Sequence, residues 1–449
     1  MKTYLIRFSV NGIKNIEKTT SVDFLNNSLV KGKTINIQNQ NVKGIFGING
    51  AGKSAFVLAM DIYNTITLKN NYLVQDYIKN KLDKLINKKT KELFLENIFA
   101  ISKDNDDNKI ADVYKHTIII KPSKNELGQK IYSLNENLSE LVGNSINSEY
   151  KEIYNVSNGK LAIKLDSLLD KEQYINEYSN RLGESTLSSY FLNYVVKYEK
   201  EIVLNKKNLS FYLYNLYLNA STTRVFMDND DIHENIRIDN ISIDKTNESL
   251  EFIKDYSKYI ITFKLNEDVV NEFDLDMYNK KTDKLKEFIQ ILKPNLRDIK
   301  VDKKYDGEKY HLKKVFFYDD YEVDEEFEST GIKRIIKMYS YIDSMVNGYK
   351  VFIDELDANI SGVFLDKLIE FLEENAKGQL CFTSHNILSM NILRKYKNSI
   401  TSFGETGKVV DIVKNGHYSP VNLFYEGFVE DSPFNINSFD FFKSFDLEE

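Results

Sequence analysis

The chain of 449 residues carries 60 Lys and Arg against 67 Asp and Glu, a formal charge of −7, which gives no global sign of nucleic-acid binding. Its single cysteine, Cys381, excludes an intramolecular disulfide and points to a reducing compartment. No run approaches the ~18 apolar residues of a membrane span, so the expectation is a soluble, cytoplasmic protein of two or three domain-sized units.

The opening "MKTYLIRFSVNGIKNIEK" alternates like a strand and lacks the apolar core of a signal peptide. Residues 1–64 read as three strands, a glycine-rich loop and a helix. The apolar strand "VKGIF" leads into Gly47, Ile48, Asn49, Gly50, Ala51, Gly52, Lys53 and Ser54, which fit G-x-x-x-x-G-K-[ST]. Glycines let such a loop curl until its N–H groups form an anion nest, and the helix that follows presents its positive end to the same phosphates. Lys53 would reach the β- and γ-phosphates and the Ser54 hydroxyl would ligate Mg²⁺. A chance match in a glycine-rich turn would have no reason to sit between an apolar strand and an apolar-striped helix.

Residues 65–95 read as helical and rich in lysine, with Lys69, Lys79, Lys81, Lys84, Lys88, Lys89 and Lys91. They fit a solvated helix face better than a surface for nucleic acid. Residues 96–165 hold the strand-like runs "YKHTIII", "QKIYSL" and "KLAIKL". Residues 166–310 are mainly long helical patterns rich in Tyr and Leu. No heptads persist there over three or four repeats, and Pro294 interrupts the pattern, so a compact insertion is expected rather than a coiled coil.

From about 311 the β/α alternation returns. Ser329, Thr330 and Gly331 open an amphipathic helix with Ile332, Ile335, Ile336 and Tyr339 on its apolar face and Lys333, Arg334 and Lys337 on its polar one. Ser329 is an ordinary N-cap, and also the start of a second anion-binding helix terminus. The apolar strand in "YKVFIDELDANIS" ends in Asp354 and Glu355, placed to hold Mg²⁺ and to act as general base. Taken alone, this stretch fits a buried strand and an acidic turn better. One β-α unit later, "QLCFT" runs into Ser384, His385 and Asn386. A lone strand-end histidine is more often structural, but His385 stands where a γ-phosphate sensor would. The tail from Phe424 to Phe445 sets aromatics among acids, either packed on the core or docking a basic partner.

In this order the motifs "GINGAGKS", "FESTGIKRIIKM", "VFIDELDANI" and "FTSHN" resemble an ABC-type ATPase, and within that superfamily the SMC-like and OLD-like group. Many members are ATPase subunits of bacterial phage-defence (abortive-infection) systems. The opening "RFSVNGIKNIEK" is similar to the first strand and turn of that group, which makes Lys14 a further phosphate contact. The resemblance covers about 1–64 and 311–428. It implies an α/β, ABC-type P-loop NTPase core, with a mixed sheet plus an antiparallel β lobe and a large, mainly helical insertion. The division would be 1–64 and 311–428 for the two core halves, 65–165 for the basic segment and β lobe, 166–310 for the insertion, and 429–449 for the tail.

It further implies ATP hydrolysis with Mg²⁺ in a head-to-tail homodimer or higher homo-oligomer. Ser329 and Gly331 of one copy would reach the γ-phosphate held by Lys53 of the other, with Asp357 as the acid that communicates across the interface. A separate effector protein, a nuclease or toxin, would take the output. Two departures stand out: "NIFAISKDNDDNKIADV", where a Q-loop glutamine is due, has none, and Thr330 replaces a glycine of the transporter signature. Two alternatives remain. A DNA-maintenance ATPase would need a coiled coil or a clear basic channel. An ATPase-nuclease would have to hide its nuclease in the insertion, where no motif supports one.

Overall fold

The computed structural model describes residues 1–26, 28–102, 108–125, 127–165, 168–198, 206, 208–228, 265, 269–404, 407–412 and 419–425. Strand β1 (Lys2–Asn11) is buried on both faces because it pairs with β2 (Thr20–Asp23) and lies between two packed layers. One face sets Phe8 edge-on to Phe56 and Tyr63 at 5.4 and 5.9 Å, while the other packs Tyr4 and Ile6 beside Leu25 and Ile98. Strand β3 (Val42–Gly47) is buried at five consecutive residues, the pattern of a central parallel strand. The P-loop helix, α1 (Lys53–Leu68), follows.

Helix α2 (Asp76–Leu85) buries Ile78, Leu82 and Leu85. Of the basic stretch around it, Lys79 pairs with Asp76 at 3.0 Å, Lys89 with Glu17 at 2.7 Å and Lys81 with Asp61 at 4.0 Å. These lysines therefore face solvent and carboxylates of their own chain. Strands β4 (Leu93–Ser102), β5 (Ile110–Lys124), β6 (Lys130–Leu141), β7 (Tyr150–Ser157) and β8 (Lys160–Ile163) extend the first hairpin into a seven-stranded antiparallel sheet, ordered β2-β1-β4-β5-β6-β7-β8. This is the expected β lobe, and β1 ties it to the core.

The tyrosine-rich helices α3 (Lys171–Tyr178), α4 (Phe191–Tyr198) and α5 (Leu209–Ser221) form a shared cluster with Phe99 and Tyr114 of the lobe. Tyr174 stacks on Tyr194 at 4.0 Å and Tyr178 on Tyr190 at 4.8 Å, while α5 is buried along its length and packs on α1. The chain then forms β9 (Thr223–Phe226), β10 (Val269–Val270), α6 (Leu275–Gln290) and β11 (Leu296–Tyr305). The described residues of 166–310 thus hold strands as well as helices. The expected boundary at 310 falls in the hairpin of β11 with β12 (Tyr310–Tyr318), to which β10 and β13 (Glu322–Asp324) also pair.

The remaining elements are α7 (Thr330–Val346), β14 (Lys350–Ile353), α8 (Gly362–Asn375), β15 (Gln379–Thr383), α9 (Met390–Leu393), β16 (Ile400–Phe403), β17 (Val409–Asp411) and α10 (Pro420–Tyr425). Among the described residues they complete a six-stranded sheet, ordered β17-β16-β3-β15-β14-β9, in which β17 alone runs antiparallel. β3 lies between β15 and β16, so both ends of the chain build one sheet. Among the described residues β9, inside the expected insertion, is an edge strand. Phe424 of α10 is fully buried in the core, in line with the packing reading for the start of the tail. The tail from 426 onward and residues 103–107 of the Q-loop stretch lie outside the described residues.

Glu373 of α8 is fully buried, accepting from Asn41 N at 3.3 Å and from the Ser399 hydroxyl at 3.4 Å. Burial raises its pKa to about 8, against those hydrogen bonds. The sign follows: below the unfolded pKa both states are protonated and nothing is lost, while the cost of a buried carboxylate grows up to about pH 8. Glu373→Gln should therefore raise Tm by roughly a few degrees at about pH 8.5 and leave it unchanged near pH 4.5. Calorimetry at both pH values checks this, and equal shifts at both would rule out a titration effect.

Candidate functional site

Two glycines shape the P-loop. Gly47 ends β3 at φ 144°, and a Cβ there would lie 2.3 Å from the Phe403 carbonyl of β16. Gly52, at φ 99°, caps α1, and its Cβ would press Ile16 at 2.9 Å. Larger residues fit neither place, so the backbone stays bare where an anion would approach, at the N–H end of a helix of 16 residues. The β1–β2 turn lies against this loop, with the Asn15 side-chain amide donating to Gly50 O. Lys14, in the same turn, is exposed at φ 47°, its own backbone held by Leu85 O and the Asn87 amide.

Lys53 is 4% exposed and donates to the carbonyls of Gly47 at 2.7 Å and Ile48 at 3.0 Å. Burial pushes its ammonium down to about 8, while the charges of Asp354, Glu355 and Asp357 pull it up. That coupling joins residues some three hundred positions apart at one edge of the sheet, where β3, β14 and β15 end.

Asp354 follows β14, with its N–H bonded to Phe226 O of β9 at 2.9 Å. The Thr383 hydroxyl, at the end of β15, donates to Asp354 Oδ1 at 2.5 Å and accepts from Glu355 N at 2.8 Å. Thr383 thus fixes the Asp354 carboxylate and the Glu355 backbone, a role that "FTSHN" carried in plain view without being assigned. Glu355 has φ 52°, a left-handed conformation uncommon for a side chain of its size. Its carboxylate and the His385 ring are both open to solvent, with His385 Nε2 3.8 Å from Glu355 Oε1. Asp357 Oδ2 accepts from Asn386 N at 3.1 Å and Ser384 N donates to Ile45 O at 3.1 Å, which fixes the histidine loop to both neighbours.

Ser329 caps α7, its hydroxyl accepting from Ile332 N at 3.4 Å, and it stays exposed with Thr330. Beside it, Gly331 passes so near the Asn359 carbonyl that a Cβ would stand 2.8 Å away. Arg334 departs from expectation: it is 3% exposed rather than solvated. Helix α7 is covered on two sides. Ile332, Ile335, Ile336 and Tyr339 meet the small sheet, while Met338, Tyr341, Ile342 and Met345 meet the core. Arg334 lies at i−4 and i−7 from Met338 and Tyr341, and that second stripe was the signal for its burial.

For Mg²⁺, the described residues hold no cluster of three or more His, Cys, Asp or Glu. A phosphate-bound Mg²⁺ takes only one or two protein ligands, and the half-buried Ser54 with the fixed Asp354 carboxylate fits that donor set. The bare glycine cradle fits a phosphate. These features define an α/β P-loop protein with an antiparallel lobe.

No protein-family model matches the sequence, and no curated protein matches it either. Among solved structures, the SMC head domain from Thermotoga maritima is similar over 92% of this chain and 100% of its own, at 11% identity and a TM-score of 0.33. The structure of the recombination mediator protein RecF-ATP in the RecFOR pathway is similar over 92% of this chain and 99% of its own, at 9% identity and a TM-score of 0.34. No helix among the described residues is long and apolar enough to cross a membrane.

Proposed function

We propose that the chain is an ABC-type ATPase of the SMC-like and OLD-like group whose nucleotide state controls head-to-tail pairing of two copies. The observation that carries this reading is the convergence of the P-loop with Asp354, Glu355 and His385 at one sheet edge. Lys53 would exchange its two carbonyl partners for the β- and γ-phosphates, while the loop and α1 N–H groups hold the remaining charge. Bound Mg²⁺, held by Ser54 and Asp354, would neutralise charge on the phosphate oxygens. Glu355 would take the proton of the attacking water, and His385 would contact the γ-phosphate. Lys14 lies in a turn already packed on the loop, which supports its role as an additional contact.

Ser329 and Thr330, exposed at the start of α7 with the half-buried Gly331 beside them, support the pairing, because a contact with a second copy requires an open helix terminus. Mixing tests it. Ser329→Arg and Lys53→Ala should each be inactive, but a dimer with one of each has one site carrying both defects and one carrying neither. Up to about a quarter of wild-type activity should return in an equimolar mixture, since about half of randomly paired dimers are mixed and each has one working site. No recovery at any mixing ratio would count against shared sites. A role in phage defence, with a separate nuclease or toxin as effector, rests on the motif resemblance. Co-purification of such a partner with the full chain would support it, and an association with DNA repair proteins would favour the maintenance reading.

A further inference from the structure

We propose that Arg334, in the second turn of α7, is the positioning residue for Glu355, so that the helix reaching toward a second copy sets the general base of its own site. The inference rests on the ATPase reading above. A buried guanidinium is costly unless its charge is met. Arg334 Nη2 donates to the carbonyls of both Asp354 at 3.0 Å and Glu355 at 2.7 Å. Nη1 lies 2.6 Å from Asp228 Oδ2 as an ion pair without hydrogen-bond geometry, Nε meets no hydrogen-bond acceptor among the described residues, and the guanidinium sits 4.9 Å from the centroid of the Phe226 ring. Asp228 is held from its other oxygen by Lys337, also on α7, at 3.3 Å.

Two successive carbonyls can face one nitrogen only if the chain turns sharply between them, and the left-handed Glu355 is that turn. Thr383 holds the same residue at its N–H, so Glu355 is clamped at both ends of its backbone. The conformation leaves its carboxylate 51% exposed, on the side of His385. Because Arg334 stands five positions after Ser329 on one rigid helix, a shift of α7 on meeting a partner's nucleotide would reach the Glu355 backbone through a single side chain. Asp228 and Phe226 hold the far side of the guanidinium, so it cannot follow another path without breaking the ion pair.

Steady-state ATPase assays and ATP-binding titrations on Arg334→Met and Arg334→Lys, each with and without Glu355→Gln, test this. Arg334→Met should lower kcat roughly ten- to hundredfold, with the Kd for ATP within about threefold of wild type. Arg334→Lys keeps a cation but loses the fork, and should recover part of the loss. In the Glu355→Gln background Arg334→Met should cost nothing further, because the group it positions is gone. Unchanged kcat in Arg334→Met, or an equal loss in both backgrounds, would overturn the inference. Should Arg334→Met not fold, Arg334→Lys and Asp228→Asn decide by the same criterion: a lower kcat at unchanged Kd supports it, and unchanged kcat in both overturns it. Absence of turnover in the wild-type protein would overturn the ATPase reading and this inference together, whereas normal turnover by these variants removes the inference alone.

Discussion

Glu355→Gln is expected to lower ATP turnover by about two to four orders of magnitude, the range for removing a positioned general base. The substitution keeps the shape of the side chain and, through Arg334 and Thr383, the backbone clamp on residue 355. Asp354, Ser54 and the P-loop are untouched, so ATP and Mg²⁺ should still bind. The variant should then accumulate as an ATP-bound dimer, because closure needs occupancy while release needs hydrolysis. Light scattering coupled to size exclusion, with and without ATP, reads the mass, and a single-turnover assay reads the rate. Turnover near the wild-type rate would remove Glu355 from the chemistry. His385 would then be the group to test, as it faces the same space from 3.8 Å.

The second large effect is expected at Lys53. Lys53→Ala deletes the cation that the loop keeps at its mouth, and the remaining backbone nest has no mobile charge to meet the γ-phosphate. A ligand present at a hundred times its Kd stabilises the native state by about 2.7 kcal/mol. For a chain of this length that corresponds to a rise in Tm of roughly a few degrees. Wild-type protein should show that rise with Mg-ATP, and Lys53→Ala should show none. Without nucleotide the two proteins should melt within roughly two degrees of each other, since burial already disfavours the Lys53 charge and its loss offsets the lost hydrogen bonds. An unchanged ATP-dependent shift in the variant would sink the P-loop assignment, and with it the mechanism.

The features legible in the amino-acid sequence are those whose physical cause is local. Gly47, Gly52 and Lys53 stand within seven positions, and each is demanded by a backbone conformation or a helix start that its near neighbours already specify. The apolar runs of β3, β14 and β15 announce central parallel strands because both their faces are buried. Two strand ends carrying Asp-Glu and Ser-His can therefore be assigned to one sheet edge before any coordinates exist. Other features depend on partners far along the chain. The four residues of β9 carry no distinctive pattern, and they are a strand because Lys350–Ile353 offers them an edge to pair with. Thr383 becomes the pivot for two acids only once β15 lies beside β14. Helical periodicity assigns Arg334 to a polar face, since periodicity sees one buried stripe at a time. The fold buries α7 from two sides, and a residue read as solvated there becomes the link between helix and carboxylate because both its partners, Asp228 and the Asp354–Glu355 turn, arrive from elsewhere in the chain.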